Sequence, residues 1–279
     1  MSSSSYDLIV IGAGPAGLTA ATETARAGLK CLALDKLAPG GALINLGELH
    51  ECEELISGAD MAARLADEAS VVGVEIGFGE VSGISGGGPW TVETTDGERH
   101  SARALVIATG LNKGRLGLPN EQEFEGRGLS HCATCDGPLY VGLPVIVAGA
   151  GNWADAEARE LEGVASQVTM LDPATQRIVA LEGSDGLQSV VIETDGTRKS
   201  IPASAVFVYV GQTPAAEFLP ESLARDASGH IVVDNQGRTS VPTVFAAGDV
   251  RAGSRPLLAR AIADGQRAAQ AVIAVLKKN

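Results

Sequence analysis

The chain has 279 residues, 45% hydrophobic and 20% charged, with a formal net charge of −13. That length can bury one sizeable core or two smaller ones, and the acidic balance leaves no basic stripe for nucleic-acid phosphates or anionic lipid. No stretch approaches the roughly 18 uninterrupted apolar residues of a membrane-spanning helix.

The opening MSSSSYD carries no Lys or Arg, so it makes a poor signal peptide, and the expected location is the cytoplasm. The serine run at residues 2–5 reads as a disordered end. A short apolar run, Leu8 to Ile11, predicts a buried parallel strand. Gly12, Gly14 and Gly17 follow in GxGxxG spacing, with Pro15 and Ala16 between the last two, and then an Ala-rich helical pattern. The next strand, KCLALD, ends in Asp35. Strand, glycine turn, helix, strand and acid together form a dinucleotide-binding βαβ fingerprint. The glycines permit a tight turn beside a pyrophosphate, the helix N-terminus offers N–H donors, and Asp35 can accept from a ribose hydroxyl.

The pattern returns at residues 143–172, with Gly149, Gly151 and Ala154 in the glycine positions and Asp172 after the strand. Gly12 to Asp35 and Gly149 to Asp172 both span 23 positions. Each copy is followed by a hairpin with an Asp-Gly turn and by a buried strand leading to Gly110 or Gly211. These features predict an internal duplication, with one nucleotide-binding module inserted in another. From the acid to the hairpin turn is 61 positions in the first copy and 23 in the second, so the second lacks room for a helix and a strand. Near the end, TVFAA delivers Gly248 and Asp249 to a turn before a long helical pattern. Asp249 suits a nucleotide sugar hydroxyl, or it caps the final helix.

These residues, with PGGAL at 39–43, ATG at 108–110 and GRGLSHCATCDG at 126–137, resemble the low-molecular-weight thioredoxin reductases of the two-dinucleotide-binding flavoproteins. The resemblance spans nearly the whole chain. It implies an α/β fold of two Rossmann-like modules, the second inserted and truncated. Residues 1–113 and 213–279 become an FAD-binding domain, and residues 114–212 a shortened NAD(P)H-type domain carrying CxxC. By the same resemblance FAD falls to Gly12, Gly14, Pro15, Ala16, Gly17, Asp35, Gly41, Ala108, Thr109, Gly110, Gly248 and Asp249. NAD(P)H falls to Gly149, Gly151 and Asp172.

HCATCDG could be half a metal site, an inert pair or a redox centre. Zinc would need further ligands at ligand spacing, and a second CxxC is absent; Cys31 reads as core and Cys52 stands alone. No metal is expected. A redox pair fits best, working by thiol–disulfide exchange through a mixed disulfide. The resemblance implies that Cys135 contacts the flavin, that Cys132 attacks a partner disulfide, and that Asp136 moves the proton; otherwise Asp136 caps the next segment. It also implies a thioredoxin-like partner, or a small dithiol or disulfide, and a homodimer.

The chain departs from the family at several places. An HRR-type stretch that grips the 2′-phosphate of NADPH is replaced by DPATQR, in which Arg177 is the one basic residue. Trp153 stands where the family has a small residue, Pro256-Leu257 replace its Arg-Gln pair, and Ala42 replaces a Gln. The readings are therefore a pyridine-nucleotide-driven reductase, a flavin disulfide oxidoreductase that takes electrons from a ferredoxin-like protein or gives them to oxygen, a flavin-bound redox sensor, and a non-redox structural protein. Intact CATCDG argues against the last two.

Overall fold

A computed structural model describes residues 5–47, 49 and 55–278; Cys52 and residues 2–4 lie outside the described residues. The chain forms two compact units, Met1–Asn112 with Thr213–Asn279, and Lys113–Gln212.

The first unit opens with β1 (Ser5–Ile11), α1 (Pro15–Arg26) and β2 (Cys31–Asp35). Ser5 belongs to β1 rather than to a disordered end, because the ladder with the strand at 99–107 reaches it, pairing Ser5 with Ser101. Then come α2 (Gly58–Val71), β3 (Glu75–Phe78), β4 (Val81–Gly86), β5 (Trp90–Thr94) and β6 (Arg99–Ile107). The chain leaves this unit along β7 (Leu111–Lys113).

The second unit contains α3 (Glu121–Phe124), β8 (Leu129–Ser130), α4 (Ala133–Asp136), β9 (Pro144–Gly149), α5 (Asn152–Glu162) and β10 (Gln167–Leu171). It continues through β11 (Arg177–Glu182), β12 (Ser189–Thr194), β13 (Thr197–Pro202) and β14 (Ala205–Tyr209). The chain returns along β15 (Gln212–Pro214), and β16 (Val244–Ala246) and α6 (Leu258–Leu276) complete the first unit.

In the first unit β1 lies between β2 and β6, and parallel pairing runs through β3, β2, β1, β6 and β16. β6 is long enough to serve two partners on its other side. Its first half pairs antiparallel with β5 and its second half parallel with β16. Leu8, Val10, Ala104 and Val106 face the helices and join their core, while Ile9, Ile11, Leu105 and Ile107 fill the opposite core. That two-sided burial explains the near-continuous apolar strands. α1 and α6 meet closely enough that a Cβ on Gly265 would lie 2.3 Å from the Ala16 carbonyl oxygen.

Asp264, 3% exposed, ion-pairs with both Arg251 and Arg267. Removing the acid strands two cations at a buried position. We expect Asp264→Ala to cost about 3 kcal/mol, the low end of the range for breaking a buried pair, since Arg267 is half-exposed. A urea unfolding series measures it, and a loss under about 1 kcal/mol would contradict it.

The second unit repeats the plan in reduced form. Its parallel sheet runs β10-β9-β14-β8, with α5 packed on it, and α2 and β3 have no counterpart. A turn leads directly from β10 into the antiparallel sheet β11-β12-β13. The Asp195-Gly196 turn has positive φ at both residues, +48° and +74°, as a tight two-residue hairpin requires. The copies differ once more. In the first, hairpin strand and buried strand are one element, β6; in the second they are β13 and β14, on different sheets. Between them, Ala203 still donates to Gln188, but Ser204 already donates to Pro144 on the other sheet.

Among the described residues no helix is long and apolar enough to cross a membrane.

Candidate functional site

In the first unit the glycine-rich segments converge at the C-terminal ends of the parallel strands. Gly12 has φ +101°, and a Cβ there would lie 2.4 Å from the Ala108 carbonyl oxygen, so the β1 and β6 ends touch only because residue 12 has no side chain. A Cβ on Gly41 would lie 3.1 Å from the Gly14 Cα, and one on Gly248 would lie 2.9 Å from the Ala16 Cβ. Gly14 is the N-cap of α1 and Pro15 opens it, with no side chain capping the turn. This bare, donor-bearing turn is what a pyrophosphate needs.

Asp35 accepts from the Ala13 N–H at 2.8 Å and the Leu37 N–H at 3.1 Å, so it shapes the loop it was expected to serve. Thr109 donates to the Ala215 carbonyl at 2.6 Å, and the Ala215 N–H donates to the Gly110 carbonyl at 3.1 Å. Asp249 does not cap α6, whose N-cap is Leu257; it accepts from the Ser254 hydroxyl at 2.9 Å. Burial raises the Asp249 carboxyl above the usual carboxylate range. The residues expected around FAD are thus together in one unit, and the glycine cradle fits a dinucleotide.

In the second unit Cys132 and Cys135 form a disulfide with Cα atoms 5.4 Å apart. Cys132 is the N-cap of α4, and the Cys135 N–H donates to its sulfur at 3.1 Å. Cys132 is 5% exposed, whereas Cys135 is exposed. Asp136 stands at the start of the following turn without capping it. Its carboxylate instead accepts from the Ser130 hydroxyl at 2.7 Å, and Ser130 also accepts from the Cys132 N–H at 3.1 Å. His131 lies 3.3 Å from Glu125. Cys31 is a core thiol of the first unit, pushed up to about 12 by burial and by the charge of Asp7.

Below the redox turn is a group that sequence reading missed. Glu157 on α5 is 8% exposed and accepts from the Tyr209 hydroxyl at 2.6 Å. The Ala133 N–H, one peptide beyond Cys132, lies 3.2 Å from the same Glu157 oxygen and 3.0 Å from the Tyr209 oxygen. Burial, then Glu157, raises the Tyr209 phenol, so it stays a donor. The available signal was spacing. Ala154, Ala158 and Leu161 mark the buried stripe of α5, and Glu157 falls on that stripe.

The nucleotide loop of the second unit is less open. A Cβ on Gly149 would lie 2.8 Å from the Tyr209 carbonyl oxygen, so packing alone demands that glycine. Gly151 has φ +87° and N-caps α5. Trp153, in the first turn, sets its ring edge against Tyr209 with centroids 4.8 Å apart. Asp172 accepts from the Ala174 N–H at 2.9 Å within its own turn, and Arg177 is paired with Glu193 at 3.2 Å.

The pyridine nucleotide-disulphide oxidoreductase family matches residues 6–182 and 174–271. A thioredoxin reductase of Listeria monocytogenes is 33% identical over 294 aligned positions, 95% of this chain and 92% of that protein. The thioredoxin reductase structure from Lactococcus lactis superposes with a TM-score of 0.89 at 30% identity, covering 98% of this chain and all of that one. That from T. acidophilum gives 0.87 at 31% identity over 97% and 98%. The chain belongs to the pyridine nucleotide-disulphide oxidoreductase family and, within it, to the low-molecular-weight thioredoxin reductases, FAD-dependent thiol–disulfide oxidoreductases.

Proposed function

We propose that the first unit is the FAD domain, that Cys132 and Cys135 are the redox pair, and that a thioredoxin-like protein disulfide is the substrate. The observation that carries this reading is the closed Cys132–Cys135 disulfide with Asp136 beside it. FAD, when bound, supplies the two-electron chemistry that opens and closes the pair. In this reading the Gly12–Gly17 turn and the α1 N-terminus hold its pyrophosphate, and Asp35 and Asp249 hold sugar hydroxyls. Exposed Cys135 receives electrons on the flavin side. Cys132 is the exchange thiol and has to be uncovered before it reaches a partner. Asp136, oriented by Ser130, takes the Cys132 proton and returns it to the leaving sulfur. The protein acts as a cytoplasmic homodimer.

Specific observations favour a second reading for the electron source. Trp153 occupies the first turn of α5, Arg177 is engaged by Glu193, and the unit lacks a helix and a strand found in its sibling. A 2′-phosphate would meet Asp172 rather than a basic clamp. Electrons would then enter from a ferredoxin-like protein, or leave a dithiol through FAD to oxygen.

Anaerobic titration with NADH and then NADPH decides between them, read at the flavin band near about 450 nm. We expect at most slow bleaching by either nucleotide and ready bleaching by dithiothreitol. Stoichiometric bleaching by a nucleotide would establish a pyridine-nucleotide-driven reductase and exclude the second reading.

A further inference from the structure

Glu157 is a carboxylate held out of water by α5, β14 and the redox turn, and its hydrogen bonds join elements remote in sequence. Two donors, the Tyr209 hydroxyl and the Ala133 N–H, meet one of its oxygens. Such an anchor fixes the first peptide of the CxxC turn. It also places a charge on the Cys132 side of that turn, where water is excluded, while Cys135 at the other end is exposed and screened. The other charged or titratable groups around it are Asp136, Glu125, Glu160, His131 and Lys113. Glu160 accepts from the Thr134 hydroxyl at 2.9 Å. Lys113 feels the pull of Glu125, Asp136 and Glu157, while its own desolvation lowers its ammonium. Lys113 therefore partly offsets all three acids.

We propose that Glu157, braced by Tyr209, is a positioning residue that orients the redox turn and opposes negative charge on Cys132. The inference rests on Cys132/Cys135 being the redox pair. Opening the disulfide breaks the S–S bond, takes up two electrons through FAD and one proton, and leaves one thiol and one thiolate. With Glu157 beneath it, Cys132 keeps the proton and Cys135 carries the charge. Cys132 then becomes a nucleophile only when Asp136 removes that proton, which ties exchange to the arrival of a partner rather than to reduction itself.

The test is the pH dependence of iodoacetamide alkylation in the dithiothreitol-reduced holoenzyme, resolved by peptide mass for each cysteine. In the wild type Cys132 should titrate at higher pH than Cys135. Glu157→Gln keeps the side-chain length and an acceptor but removes the charge, and should lower the Cys132 midpoint by about one pH unit. Glu157→Asp keeps the charge and should leave the midpoint near the wild-type value; a merely structural role would disturb Asp, the shorter side chain, more than Gln. A Cys132 midpoint below that of Cys135 in the wild type, or no shift in Glu157→Gln, would overturn the proposal while leaving the redox pair standing. A Cys132–Cys135 disulfide that dithiothreitol leaves closed, read by peptide mass, would overturn the redox-pair reading, and this inference with it.

Discussion

Cys132→Ser and Cys135→Ser should each retain FAD and lose electron transfer between thiols and flavin. A serine hydroxyl cannot form the disulfide, and it ionises far above the pH at which a thiolate forms. The assay needs no knowledge of the physiological donor. Dithiothreitol bleaches the flavin through the pair in the wild type, and in either variant the bleaching rate should fall by about a thousandfold or more, as for other essential nucleophiles. The fold should survive. The disulfide closes a loop only three positions apart in sequence, which contributes about 2 kcal/mol in the chain-entropy account. Bleaching at the wild-type rate in both variants would show that the pair is inert and that thiols reach the flavin another way.

Gly17→Ala should cost the protein its flavin. The added Cβ would lie 1.9 Å from the Gly12 carbonyl oxygen and 3.1 Å from the Val10 Cγ1, so the backbone of the β1–α1 turn has to move. Neither neighbour is the far end of a flexible side chain. The expected loss is about 3–5 kcal/mol of stability, with purified protein that lacks the 450 nm band. Gly28→Ala is the control. Gly28 has positive φ, +84°, and nothing lies within 4 Å of its Cβ position. It should cost about 1 kcal/mol from the left-handed backbone alone and keep its FAD. Flavin content and thermal midpoint measure both, and a flavin-replete Gly17→Ala would remove the glycine turn from the cofactor site.

Other sites respond less sharply because their residues have alternatives. Asp35 illustrates this. Its carboxylate already accepts two backbone N–H groups, so Asp35→Ala would loosen the loop as well as remove the proposed ribose contact, and one variant would report both effects together. Gly17 acts through excluded volume alone, which makes the comparison with Gly28 interpretable.

Much of this protein was determined locally, and that part could be read from the chain. A strand, a glycine turn, a helix and a second strand in fixed spacing need only short-range sterics and hydrogen bonds, so both βαβ units could be found, with β2 ending at Asp35 as expected. The missing helix and strand of the second unit were legible as missing length. CxxC was legible because two thiols three positions apart can close a disulfide in one turn. Tertiary structure decided what no spacing encodes. Gly12 meets Ala108, Gly41 meets Gly14 and Gly248 meets Ala16 only once the sheet has ordered its strands. The second copy moves its hairpin to another sheet at residues 203–204, where the chain trades one backbone partner for another. Asp136 turns to Ser130 rather than capping the next segment. Above all, spacing puts Glu157 on the buried stripe of α5, but the sequence names no partner for an acid there. Its burial against Tyr209 and Ala133, 52 and 24 positions away, follows from how α5 lies on β14 and under α4. Periodicity can tell which side of a helix faces inward; only the packed neighbours decide whether a charge on that side has partners, and what it then does.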